Sequence, residues 1–233
     1  MRIILETMKY TDAHCHITAP LCDSNIIAQI CNTTTEADWE KLIEIANDQT
    51  RICIGIHPWY IQTATDGWVE RMYKILQSNP HIMVGEIGID KYHPDIDKQI
   101  ELFITQLEIA IELNRPAHLH IVGAWDKLLH ILGKYKKLPP IIVHGFNGNR
   151  DIMSQIANRD IYFSYKLRDS RISDTARIAV ATKILVESDC DTCANQLQIL
   201  TKTTREMARM RGMPVAELNE QINQNFQRVI NYV

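Results

Sequence analysis

No apolar run in this 233-residue sequence approaches the length of a membrane-spanning helix, and the opening MRIILETMKY holds too short an apolar stretch for a signal peptide. Positive charge is not in surplus either: 25 Lys and Arg stand against 28 Asp and Glu, a formal net charge of -3. That balance excludes a general attraction to a polyanion, so any contact with nucleic acid must be local, at a metal or a small basic cluster. Nine glycines and eight prolines never gather into a linker, and no repeat or low-complexity segment divides the chain. The expectation is one domain over residues 1–233, with 1–9 as an N-terminal extension and the patterned sequence beginning just after Met8, a candidate start. Cys15, Cys22, Cys31, Cys53, Cys190 and Cys193 lack the spacing of a small secreted framework, and several lie in apolar runs. Reduced thiols in a cytoplasmic protein are the simpler expectation.

Short β-rich runs recur between longer helical patterns. Strands are predicted at about 10–16, 26–31, 51–56, 82–87, 117–122, 141–145, 161–165 and 183–188. Helices are predicted over 36–47, 67–77, 95–113, 124–136, 150–157, 192–210 and 214–232, the last with Pro214 in its first turn. Strands alternating with helices in this way point to the α/β class and a single (β/α)8 TIM barrel.

The unusual polar residues are not scattered over those strands. In DAHCH, His14 and His16 are separated by one residue, so on an extended strand they share a face. Glu86 ends the fourth predicted strand, His120 lies on the fifth, His144 ends the sixth, and Asp189 follows the eighth. Each falls at or near a carboxyl end, the face on which barrels assemble active sites. Burying four histidines and two carboxylates there without a cation is costly. A carboxylate can bridge two cations, so the set predicts a binuclear centre bridged by Glu86. His14, His16 and Asp189 complete one position, and His120 with His144 the other. Nitrogen-rich ligands favour zinc, manganese, nickel or iron, while the carboxylates keep magnesium open. Asp189 is placed to serve also as the proton acceptor for an attacking water, so Glu86 and Asp189 are the predicted catalytic residues.

These motifs resemble the TatD family of metal-dependent hydrolases, among the amidohydrolase-like barrels. The resemblance runs from Tyr10 onward through DAHCH, GIHP (Gly55–Pro58), VGEIGID (Val84–Asp90), RPAHLH, IVHGFNG, the ESD of Glu187–Asp189 and the late Asn225-Phe226. It implies a TIM-type barrel, a divalent metal centre and, for several members, deoxyribonuclease activity. It also selects His120 over His118, its neighbour on the same face, as the fifth-strand ligand. Two departures stand out. Ile121-Val122 replace a Ser-Arg pair typical after the fifth-strand histidine, and Cys190-Asp191 replace a small residue and proline after the aspartate. A guanidinium suits phosphate, so its absence bears on substrate class.

His57 either donates a hydrogen bond to substrate or stabilises the turn before Pro58. Lys166 and Arg168 follow the seventh strand, where barrels often bind phosphate, and are read either as substrate-binding groups or as solvated charges. Asp12 and Asp90 are expected to hold ligand histidines or loops in place. His81, His93 and His130 are expected at the surface. Cys190 and Cys193 form one CxxC pair, weak evidence for zinc or redox work and more simply a coincidence of the loop. Three functions follow: a phosphodiesterase acting on DNA or a small phosphodiester, a hydrolase of an ester, lactone or cyclic amide using the same centre, and a metal-binding scaffold without turnover.

Overall fold

The computed structural model describes residues 8–167 and 171–232. Eight strands lie in one sheet in sequence order, each parallel to the next. They are β1 (Tyr10–Cys15), β2 (Ile26–Asn32), β3 (Thr50–Ile54), β4 (Met83–Asp90), β5 (Ala117–Val122), β6 (Ile141–Val143), β7 (Ile161–Tyr165) and β8 (Ile184–Val186). The helices are α1 (Trp39–Ile45), α2 (Trp68–Ser78), α3 (Ile96–Glu112), α4 (Trp125–Gly133), α5 (Arg150–Ile156), α6 (Gln196–Arg211) and α7 (Val215–Ile230). The nearly closed (β/α)8 barrel expected from the sequence is therefore present, although no helix joins β1 to β2.

The strands form where β-branched and apolar residues are buried on both faces, as parallel barrel strands must be. One face fills the barrel interior with Ala13, Ile30, Cys53, Met83, Ile142 and Leu185. The other packs against the helices through residues such as Ile52, Ile87, Leu119 and Phe163. Helix α7 adds Phe226, Val229 and Ile230 to the interior cluster. Asn219 and Asn223 each donate to the Lys9 carbonyl and Asn225 donates to Ile184 O, so α7 seals the amino ends of β1 and β8. The carboxyl ends remain open.

The barrel closes by a seam rather than a ladder. Asp189 N donates to His14 O at 2.8 Å and His16 N to Cys190 O at 2.8 Å. The buried Asp12 carboxylate accepts from Ser188 N (2.9 Å), His14 N (3.2 Å), Gln196 Nε2 (2.9 Å) and the Ser188 hydroxyl. Burial pushes the Asp12 carboxyl up to about 6, against the pull of those four donors. Asp12 thus sets the register between the strand carrying His14 and the turn carrying Asp189.

The strand carrying Glu86 runs longer than the sequence pattern predicts, so Glu86 lies in mid-strand rather than at its end. Gly88, paired with His120, permits this: a Cβ there would lie 1.8 Å from His120 O. Only glycine lets the two backbones approach so closely. Helix α3 fixes the neighbouring loops through two buried glutamines. Gln106 bonds both Ile56 N (2.7 Å) and Ile56 O (3.2 Å), and Gln99 accepts from Asp90 N at 2.8 Å.

The cysteines depart from the fully reduced expectation. Cys22, after β1, and Cys193, after β8, form a disulfide with Cα atoms 6.0 Å apart. The seam brings those two connections together across 171 residues of sequence. Cys190 is free, so the CxxC pair is not bonded to itself.

Candidate metal centre

Six ligand-type residues predicted from the sequence converge at the open mouth. Glu86 is buried at their centre and its two oxygens face different partners. Oε2 lies 3.4 Å from His16 Nε2 and 3.5 Å from His14 Nε2. Oε1 lies 2.8 Å from His144 Nε2, 3.0 Å from His120 Nδ1 and 3.5 Å from His57 Nε2. Asp189 Oδ1 is 3.7 Å from His14 Nε2 and 3.8 Å from His16 Nε2. Among the described residues, three groupings bring ligand atoms within 4.8 Å of one another: His14, His16 and Glu86; His14, His144 and Asp189; His57, Glu86 and His120.

The donor chemistry fits divalent cations. Ring nitrogens meet in pairs, 3.2 Å between His14 and His16 and 3.0 Å between His120 and His144. One proton can join such a pair only as donor and acceptor of a single hydrogen bond, whereas a cation can take both nitrogens and a carboxylate oxygen as ligands. Among the described residues, Glu187 Oε2 is buried without a hydrogen-bond partner, and His120 Nε2 has only Asp90 Oδ2 at 3.6 Å. In the protein alone, burial opposes charge on both Glu86 and His144, but their mutual attraction wins. Glu86 is held well below the usual carboxylate range by His144, His14 and His57, and His144 well above the usual imidazole range by Glu86 and Glu187. Burial, and then the charge on His144, keep His14 well below its ordinary value. The same causes bring His118 down to about 3.

Of the two roles offered for His57, the turn is the one the structure displays, and the ring makes a further contact with Glu86. Its Nδ1 accepts from Trp59 N at 3.1 Å, capping the 3-10 turn Pro58–Thr63, while Nε2 points at Glu86. Sequence reasoning missed it as a potential ligand because the turn reading accounted for only one of its nitrogens. His118 and His120 share the interior face, as alternation requires, at different depths. His118 lies within 3.0 Å of His14 Nδ1, under the cluster rather than in it. Glu187 was also missed: Oε1 accepts from Gly145 N at 2.8 Å and lies 3.4 Å from His144 Nδ1, orienting that ring. Its signal was an acidic residue directly after the apolar run Ile184-Leu185-Val186.

Asp90 behaves as a holding group. It accepts from Trp59 Nε1 (2.8 Å) and Tyr92 N (2.9 Å) and lies 3.6 Å from His120 Nε2. His93, expected at the surface, is half-buried with its ring stacked on Trp59. Lys166 Nζ lies 3.3 Å from Asp189 Oδ2 and lines the same mouth, a cavity of about 1020 Å³. Ile121 and Val122 form part of its wall. Arg168 lies outside the described residues. Among the described residues, no helix is long and apolar enough to cross a membrane.

Comparison with known proteins gives this geometry a family. An uncharacterized metal-dependent hydrolase of Mycoplasma genitalium is 31% identical over 182 residues, covering 67% of this chain and 69% of the relative. The 3'-5' ssDNA/RNA exonuclease TatD of Escherichia fergusonii is 28% identical over 149 residues, covering 58% of this chain and 55% of that protein. Among solved structures, YjjV, a TatD homologue of Escherichia coli K12, shares the fold with a TM-score of 0.82 at 20% identity, covering 95% of this chain and 98% of that one. The family model described as TatD related DNase matches residues 11–231. The motifs and barrel thus meet in a single assignment: the chain belongs to the TatD-related DNase family of metal-dependent hydrolases.

Proposed function

We propose that the protein is a phosphodiesterase with a binuclear metal centre, acting on DNA or a small phosphodiester. The observation that carries this reading is the division of the Glu86 carboxylate, one oxygen toward His14 and His16 and the other toward His120, His144 and His57. A carboxylate so placed is suited to bridge. Two cations held there would acidify a water and neutralise charge on phosphoryl oxygens.

The chain's own residues carry the remaining work. Asp189, at the rim and in reach of His14 and His16, takes the proton of the attacking water. Lys166, beside Asp189, supplies positive charge for a phosphate, with Arg168, two residues on in sequence, as its proposed companion. Glu187 holds the His144 ring, and Asp12 holds the turn that carries Asp189. Zinc, manganese, magnesium, nickel and iron all suit the mixed nitrogen and oxygen set. The exonuclease named among the relatives supports a nucleic-acid substrate.

The carbonyl-hydrolase reading draws on one observation, the uncharged wall of Ile121 and Val122. A panel of a phosphodiester, an ester, a lactone and a cyclic amide, each with manganese or zinc, separates the readings. Preference for the phosphodiester is the expected result. Preference for a carbonyl substrate overturns it, and inertness toward all of them returns the scaffold reading.

A further inference from the structure

Half of the aromatic side chains of this protein are buried, and two of the exposed ones sit beside the candidate metal centre. Trp59 is 47% exposed and Tyr60 41%, and both line the cavity that contains Glu86 and His120. Their turn is rigidly held. Pro58 opens it, His57 caps it through both its ring and its carbonyl, and Thr63 Oγ1 donates to Tyr60 O at 2.7 Å. The indole is fixed as well. Its N–H donates to the buried Asp90 carboxylate, and His93 lies stacked on the ring at 4.5 Å between centroids. A ring so anchored loses little freedom when a ligand arrives. It stands 5.8 Å from the His120 ring and 5.1 Å from His57, directly against the cluster.

We propose that Trp59, with Tyr60 beside it, forms a base-stacking subsite for an unpaired nucleobase adjoining the scissile phosphate. This rests on the phosphodiesterase reading. A base must be unstacked to use the subsite, so the substrate is a strand end or a single strand, and stacking tolerates any base because each has a π-face. The subsite also answers the charge problem. With a net charge of -3 and Ile121-Val122 where an arginine is typical of the family, electrostatic grip is weak, and stacking supplies affinity that depends little on salt.

The test compares KM on the manganese-loaded enzyme for a short single-stranded oligodeoxyadenylate and for the same strand with abasic residues at both terminal positions. The wild-type KM should rise roughly 10- to 100-fold on the abasic strand. Trp59→Ala should raise KM on the intact strand similarly and lose the discrimination, and Trp59→Phe should recover most of it. Equal KM values of the wild type on the two strands, or full discrimination by Trp59→Ala, overturn the subsite. Fluorescence of the metal-free protein separates this proposal from the reading beneath it. Deoxyadenosine monophosphate should quench a signal that Trp59→Phe lacks. Should no phosphodiester be cleaved, Trp59-dependent quenching retains the base site while the phosphodiesterase reading fails, and its absence removes the site.

Discussion

Lys166 Nζ lies 3.3 Å from Asp189 Oδ2, so the cation expected to meet a phosphate is paired with the carboxylate expected to take a proton. Lys166→Met tests which partner the ammonium serves. A charged hydrogen bond to substrate is worth about 1.5–3 kcal/mol, so kcat/KM for a phosphodiester should fall roughly tenfold or more, through KM, with metal content unchanged. Asp189→Asn should instead lower kcat by about 100-fold or more with the fold intact by circular dichroism. An unaltered KM in the lysine variant would assign Lys166 to Asp189 alone.

Glu86 touches both halves of the cluster, and its loss should therefore be felt in both. Glu86→Gln is expected to weaken both metal positions together, read as loss of both ions by elemental analysis after dialysis. Retention of one ion at full occupancy would show that the carboxylate serves a single position.

Metal uptake should expel a proton from His144. Glu86 and Glu187 hold that imidazole protonated well above its ordinary 6.5, whereas a ligating nitrogen must be free. Zinc affinity should fall about tenfold per pH unit as pH drops where His144 is protonated, and close to one proton should be released per protein at pH 7. His144→Asn should abolish that release. In the metal-free protein the sign is opposite. A raised folded-state pKa contributes stability that is fully present below about 6.5, the unfolded value, and is lost as pH rises through the folded value. Thermal melts of metal-free protein across that range check it.

Asp12 joins the first strand to the last turn, and Asp12→Ala leaves Ser188 N and His14 N without that acceptor and Gln196 Nε2 with Gln29 Oε1 alone. Unsatisfied buried donors cost roughly 1–3 kcal/mol each, so Tm should fall by about 10 °C, and metal affinity should fall with it. A melting temperature within a degree or two of wild type would mean that the two backbone bonds across the seam suffice.

Much of the fold was legible because barrel strands are short apolar runs and the helices between them carry one apolar face. The predicted fifth and seventh strands, 117–122 and 161–165, match the structure residue for residue. The predicted fourth strand ends at 87, whereas Gly88 lets β4 continue against β5 to Asp90.

What the sequence marked by itself was a set of candidate ligands, His14, His16, Glu86, His120, His144 and Asp189, each a polar side chain on or just after a predicted strand. That signal is local, because alternation along a strand decides which residues share a face. What only the tertiary structure decided was pairing across the barrel. Asp12 meets Ser188 from 176 residues away, Cys22 meets Cys193, Lys166 turns to Asp189, and the second nitrogen of His57 reaches Glu86. His118 and His120 share a face in the sequence pattern, yet only strand stagger ranks them by depth. Closure of the sheet brings these groups together, and closure depends on all eight strands at once rather than on any stretch of chain.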